Sequence, residues 1–399
     1  MKTISLLPLS VCVFSCLSLL PAAAGVPPEA IPPLLPPSVI TDPLTGANAE
    51  TRDRQALEAL QKGLGDLPKT DPKTAVARYH TFFVDHPALS PAVGVDAASA
   101  AAQLYADGLK DPKAALGVYD WAVGKFGDFP GAGSLTNSKA ALLLAQKRPQ
   151  DAETFLKDRL PQTLHGWPQY ANDPMEQYSS LLQQEGKTDE MVRALGLFLV
   201  WQPDYLDPGP ANWDWAYGRI TDSLIQQKRP AEALGWAKLR FMVCAYDPDA
   251  IDRASRLLAK VWLAPGSNKA EYDAFAAAQR DATLHNPLAD VKLPVLDGAV
   301  LNDRINGSNG SEKISLLIAA GRLKEAMAAA REMKNNKDIA RRGIMEICKV
   351  FKAADLNLKR ANDYLKYLKT NQGDDPVEKF MAELLPNNGA APAPAAPAQ

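Results

Sequence analysis

The chain has 399 residues, 46% hydrophobic and 23% charged, an ordinary globular balance with ample material for a core. A net charge of -2 argues against nucleic acid as a main partner, because phosphate binding needs a basic surface. Aromatics are scarce at 7% and alanine is abundant, which favours closely packed helices over a β-sandwich.

Residues 1–24 read as an export signal. Lys2 supplies the positive start, "ISLLPLSVCVFSCLSLL" the apolar core, and "AAA" at 22–24 the small residues a signal peptidase needs. Cleavage near Ala24 would deliver the chain to a periplasmic or extracellular space. The apolar core is too short and too poorly flanked for a membrane span, and no later stretch reaches spanning length. The alternative is a lipoprotein with "VFSC" as its box and a lipid anchor at Cys16, in which Phe14 fits poorly. Cleavage leaves Cys244 and Cys348. An oxidising compartment would allow them to pair, while their apolar neighbours suit buried thiols equally well.

Residues 25–48 are proline-rich and predict an extended arm rather than a packed helix. A six-residue turn then recurs along the chain. It reads "TDPKTA" at 70–75, "KDPKAA" at 110–115, "KRPQDA" at 147–152, "GKTDEM" at 186–191, "KRPAEA" at 228–233, "GRLKEA" at 321–326 and "LNLKRA" at 356–361. The intervals between final residues are 40, 37, 39, 42, 93 and 35, and the 93 is about two such intervals. A self-similar period of this size marks a stacked repeat protein.

Local physics gives each copy its form. Leu143, Leu182, Leu224 and Leu317 each stand four residues before their motif, in a first helix. Gly186 and Gly321 can end that helix in the left-handed conformation. Pro112, Pro149 and Pro230 suit the first turn of the next helix, where a missing N–H is harmless. Asp151, Glu190, Glu232 and Glu325 lie near its positive end. A closing Ala or Met lets the two helices approach. In the second helices Ala75 is followed by Tyr79, Phe82 and Phe83, and Met191 by Leu195, Phe198 and Leu199, an apolar stripe of helical period that reads as core.

These features resemble the tetratricopeptide repeat family. Pro87 and Pro203 stand twelve residues after Ala75 and Met191, where that family's closing proline falls. Gly63, Ala140 and Ser179 lie twelve residues before Ala75, Ala152 and Met191, at its small site. The other units lack the proline, and most periods exceed the family's usual length of about 34 residues. The resemblance covers residues 49–386. It implies an all-α fold, a right-handed α-solenoid of about eight antiparallel helix-turn-helix units, and a binding role on an extended concave surface.

Inside the long interval, 249–263 predicts one helix and 268–282 a second, capped by Ser267. Residues 283–310 lack a helical period and predict an irregular loop, with two "NGS" triplets read as turn chemistry. The tail from 387 to 399 is Ala/Pro-rich and predicts disorder.

No motif for catalysis, cofactor or metal stands out. "PGAGSLTNSK" at 130–139 lacks the lysine spacing of a phosphate loop and predicts a joint between repeats. His80 and His86 fall on different helix faces, and His165 and His285 have no ligand partners nearby in sequence. One cluster rises above this background. "WQPDYLDPGPANWDWAYG" at 201–218 gathers Trp201, Tyr205, Trp213, Trp215 and Tyr217 around three prolines, with Trp167 and Tyr170 one repeat earlier. Such rings suit a partner-binding surface. They would equally plug the junction between two enlarged repeats. The sequence therefore predicts an exported scaffold that binds a protein or peptide. A saccharide- or cell-wall-binding module using the aromatic cluster is the alternative, and an enzyme without a recognisable motif a third.

Overall fold

The computed structural model describes residues 47–165, 168–201, 213–244, 248–281 and 298–370. The signal segment, residues 25–46 of the proline-rich arm, the Ala/Pro tail and Pro203 lie outside the described residues. Every regular element described is helical. The chain divides into two compact units, residues 1–148 and 149–399.

The first unit contains α1 (Ala47–Leu64), the short α2 (Leu67–Thr70), α3 (Pro72–Asp85), α4 (Pro91–Gln103), α5 (Pro112–Phe126) and α6 (Gly133–Ala145). A single π-helical turn, Leu104–Gly108, prolongs α4. "PGAGSLTNSK" proves to be a short 3-10 turn that runs into α6. The second unit starts with α7 (Pro149–His165), α8 (Pro168–Gln184), α9 (Thr188–Trp201), α10 (Asp214–Gln226), α11 (Pro230–Val243) and α12 (Pro248–Trp262). It continues with α13 (Lys269–Arg280), α14 (Gly298–Gly307), α15 (Gly310–Ala319), α16 (Leu323–Asn335), α17 (Ala340–Asp355) and α18 (Leu358–Thr370).

The recurring turn has a common backbone device. In six of its seven copies the first residue is left-handed: Lys110, Lys147, Gly186, Lys228, Gly321 and Leu356 have φ between 51° and 72°. In four of them two hydrogen bonds close the preceding helix. The Arg148, Lys187, Arg229 and Arg322 N–H groups donate to the carbonyls of Leu143, Leu182, Leu224 and Leu317 at 2.8–3.0 Å. The left-handed residue itself donates to the carbonyl one position later, as Lys228 does to Ile225 at 2.9 Å. This is the Schellman arrangement, which satisfies carbonyls that the end of a helix would otherwise orphan. The leucine four residues before each motif is therefore fixed twice, by its carbonyl in the turn and by its side chain in the core. The next helix starts at once. Pro72, Pro112, Pro149 and Pro230 are first helical residues. The Asp71 and Asp111 side chains accept the N–H groups of Thr74 and Ala114 at 3.2 and 2.9 Å.

The residue that closes the motif is buried in every copy. Ala75, Ala115, Ala152, Met191, Ala233 and Ala326 are 0% exposed and Ala361 is 1%. In the first unit the buried side of α3 sets Phe83 edge-on against Trp121 of α5 at 4.9 Å. Asp53, buried on α1, accepts the Ser90 N–H at 2.7 Å and ties α1 to the start of α4. In the second unit, charges beside successive turns also meet. Lys187 pairs with Glu153 at 2.6 Å, Lys157 with Glu190 at 2.8 Å and Arg229 with Asp189 at 2.5 Å. Each pair is solvated at one partner or both and contributes at most about 1 kcal/mol.

The second unit departs from the sequence reading in three places. The cap of α13 is Asn268, whose side chain accepts the Ala270 N–H at 3.1 Å, while the Ser267 hydroxyl donates back to the Val261 carbonyl at 2.8 Å. Of the loop expected over 283–310, residues 283–297 lie outside the described residues and most of 298–310 is helical. Gly298–Gly307 is α14, with Leu301 and Ile305 four residues apart on its buried side, and α15 begins at Gly310. Two apolar residues in a ten-residue helix are too few to announce a period. Finally, α11 touches not only α10 and α12 but also α15 and α17. An ideal repeat array has contacts between neighbours alone. Gly235 to Val243 of α11 are consequently buried without a break, as expected of a helix enclosed on every side.

Gly343 marks another close approach. A Cβ there would collide with the backbone of Lys334, so α16 and α17 meet without a side chain between them.

Five substitutions test this reading. Lys147→Gly and Lys228→Gly should each raise stability by about 1 kcal/mol, because both side chains are exposed and a left-handed L-residue is strained. Gly343→Ala should destabilise by about 1–3 kcal/mol through overpacking, and Ala233→Trp or Ala326→Trp by at least as much. Urea unfolding followed by far-UV circular dichroism reads all of them, and unchanged midpoints would show that the turn and the helix contacts are misassigned.

Candidate functional site

Of the aromatic cluster predicted for partner binding, the described rings Trp213 and Tyr217 are turned inward and Trp215 is partly buried. Trp213 precedes α10 and is 3% exposed, edge-on to Phe198 of α9 with centroids 4.9 Å apart. Tyr217 is 4% exposed, and the Arg240 guanidinium lies 5.8 Å from its ring. Trp215 is partly buried. Its indole N–H donates to Asn172 Oδ1 at 2.6 Å, and its ring has Phe198 at 5.7 Å and the Arg219 guanidinium at 5.4 Å. Arg219 is held in turn by the Glu176 carbonyl at 2.7 Å and Ser179 Oγ at 2.6 Å. The rings thus join α8, α9 and α10. The side chains of Trp201 and Tyr170, together with Tyr205 and Trp167, lie outside the described residues.

A cleft in the first unit was not foreseen. It has a volume of about 580 Å³ and opens where α2, the start of α3 and the π-helical turn come together. Leu64, Pro68, Pro72, Tyr79 and Leu104 supply apolar wall, and Lys69, Gln103 and Asp107 supply polar groups. Its cause is local. In the π turn the Leu109 N–H reaches back to the Leu104 carbonyl at 3.0 Å and the Asp111 N–H to Tyr105 at 2.8 Å, so one extra residue is accommodated. The bulge seats Gly108 against Pro72, where a Cβ would press on the ring. Tyr105 is turned inward from the same turn, and burial pushes its phenol up to about 12. No periodicity in "LYADGLK" announces a π turn. The signal available in the sequence was the pair of prolines at 68 and 72, facing that turn.

The third concentration of polar chemistry is enclosed. On α17, Glu346, Lys349 and Lys352 are 0% exposed and Asp355 is 1%; on α11, Lys238 and Arg240 are each 1%. The Lys349 ammonium donates to Ser315 Oγ of α15 at 2.5 Å and stands 3.7 Å from Glu346. Burial raises the Glu346 carboxyl above its ordinary 4.5, although Lys349 opposes the shift. Asp214 receives Arg240 at 2.7 Å and Arg253 at 2.6 Å. Burial works against its charge, yet the two arginines hold it below the usual carboxylate range. Lys352 donates to the carbonyl of Cys244 at 3.1 Å and to its sulfur at 3.0 Å. Burial lowers this lysine. Cys244 and Cys348 are both buried and form no disulfide, so the pairing considered for them is not made.

Among the described residues, no three His, Cys, Asp or Glu side chains converge on a possible metal position, and no helix is long and apolar enough to cross a membrane.

If the aromatic rings are internal packing, Trp213→Ala should cost about 3–5 kcal/mol of stability. Trp213→Phe should be mild, since the indole N–H has no acceptor among the described residues. Equal losses from both changes would contradict this placement. Removing Lys349 alone, as Lys349→Met, leaves the buried Glu346 carboxylate uncompensated and should cost about 3 kcal/mol or more; Glu346→Leu with Lys349→Met should cost clearly less. The pH dependence follows from the raised carboxyl. Below 4.5 the group is protonated both folded and unfolded, and the cost of burying its charge grows as pH rises toward its folded value. Wild type should therefore lose stability relative to Glu346→Gln as pH is raised from below 4.5, measured by urea midpoints at each pH. No protein-family model and no curated protein matches this chain.

Proposed function

We propose that this chain is an exported scaffold, a right-handed α-solenoid of antiparallel tetratricopeptide-like units, that binds a protein or peptide partner rather than turning over a substrate. The recurring turn supports the solenoid reading, because one backbone device joins one helix to the next in six copies. The single observation that carries the binding role is the cleft of the first unit. Its walls are mainly apolar, its polar groups are few, and one cation and one anion leave it without a dominant charge. Lys69 and Asp107 are exposed, while Tyr79 is almost wholly buried beneath the surface. Such a cleft suits an apolar anchor of a peptide, with its main chain bonded to Gln103, Lys69 or Asp107. Contacts made by α11 with α15 and α17 place that part of the chain in a closed core, which makes the first unit the better candidate for an exposed groove.

The rings needed for saccharide stacking are engaged internally wherever they are described, so no observation favours the saccharide alternative.

Panning a random peptide display library against the purified protein tests the proposal. Enriched peptides should share an apolar anchor. Ala100→Trp, which projects an indole into the cleft, should weaken them by about thirtyfold, equivalent to about 2 kcal/mol, with an unchanged melting temperature. Failure to enrich any family of peptides, or enrichment indifferent to Ala100→Trp, would remove the cleft as the binding site.

A further inference from the structure

Lys352 and Cys244 are an unusual pair. Both are 0% exposed, one in α17 and the other at the C-terminal cap of α11, 108 residues apart in sequence. The amine lies 3.0 Å from Sγ and also donates to the Cys244 carbonyl. The thiol faces the Phe241 carbonyl at 3.3 Å as donor, which leaves sulfur lone pairs toward the amine. Among the described residues no carboxylate reaches ion-pairing distance of Lys352. Its other near neighbours are the Phe241 ring at 5.4 Å and the cations Lys349 and Arg240, which disfavour a further positive charge, while the buried Glu346 carboxyl lies further off on the same helix. The amine is therefore held in contact with the thiol in a site closed to bulk water, where burial disfavours its charged form.

We propose that Cys244 and Lys352 are an oxidative modification site, closing to an N–O–S cross-link between the end of α11 and the last turn of α17. The co-reactant is dioxygen, small enough to enter a packed interior. The S–H bond and one N–H bond break, and S–O and O–N bonds form through one oxygen atom. The second oxygen leaves as water with the two displaced hydrogens. Sulfur and nitrogen together supply the electrons that reduce both oxygen atoms. A thiol reductant reverses the reaction, restoring thiol and amine and releasing the bridging oxygen as water. The contact distance requires little movement of either side chain, and the product would staple together two helices that already touch.

Intact-mass and peptide-mapping spectrometry on the full wild-type chain tests this directly, comparing protein equilibrated in air with protein kept in a thiol reductant. The expected result is a species one oxygen heavier and two hydrogens lighter, mapped to a linked peptide that contains both residues and lost on reduction. Folded Lys352→Arg and Cys244→Ser variants, verified by circular dichroism, should not form it. Sulfenic, sulfinic or sulfonic acid on Cys244 with a free Lys352 amine would overturn the proposal. So would a Cys244–Cys348 disulfide, or a folded protein whose air-equilibrated mass is unchanged.

Discussion

The fold depends on how its helices stop. An α-helix ends with four carbonyls that lack intrahelical partners, and within a protein they must be satisfied or exposed to water. Here the same solution recurs: one left-handed residue turns the chain, two N–H groups return to the last carbonyls, and the next helix starts two residues later. Because the turn is so short, the closing Ala or Met necessarily falls in the first turn of the next helix. It is buried in every copy, including Ala75, whose turn lacks the left-handed residue. Three copies use lysine where glycine would be free of strain, so the geometry is imposed by the helices on either side rather than by glycine's conformational freedom.

Repetition accounts for local order but not for the core of the second unit. There α11 is enclosed by α10, α12, α15 and α17, and α17 brings a row of ionisable side chains into the same interior. Water can no longer solvate these groups. Each must be matched by an opposite charge, as Arg240 is by Asp214, by a hydroxyl, as Lys349 is by Ser315, or by loss of its own charge, the direction in which Lys352 moves. Aromatic packing serves a similar joining role between α9 and α10, where Phe198 receives both Trp213 and Trp215. The consequence for function is an allocation of surfaces. The described rings and charges that would make conspicuous recognition groups are occupied inside the second unit, whereas the first unit keeps an open cleft beside its π-helical turn.

Much of this was legible in the residues. The turn positions, the prolines that open α5, α7 and α11, and the leucines that close α6, α8, α10 and α15 follow from short-range rules: the chain's own bonds within six residues satisfy them. The cap at Asn268, one residue after the expected Ser267, shows the limit of such rules, since two adjacent polar residues can each accept an N–H and tertiary contact chooses between them. Helix α14 was missed for the opposite reason. Its buried face is only Leu301 and Ile305, and it is held by what it packs against, including the Arg304–Glu312 ion pair to α15.

The sequence by itself determined that the chain is helical, where most helices begin and end, and which small residue each turn would bury. Those are local quantities, decided by hydrogen-bond closure and apolar period over one or two turns of helix. Only the tertiary structure decided which ring is surface and which is core, that Lys352 lies against Cys244, that α11 meets α17, and that a cleft opens beside the π turn. Each of these joins residues distant along the chain or at the close approach of separate elements, and a pattern with the period of one helix carries no information about which face of which later helix will cover it.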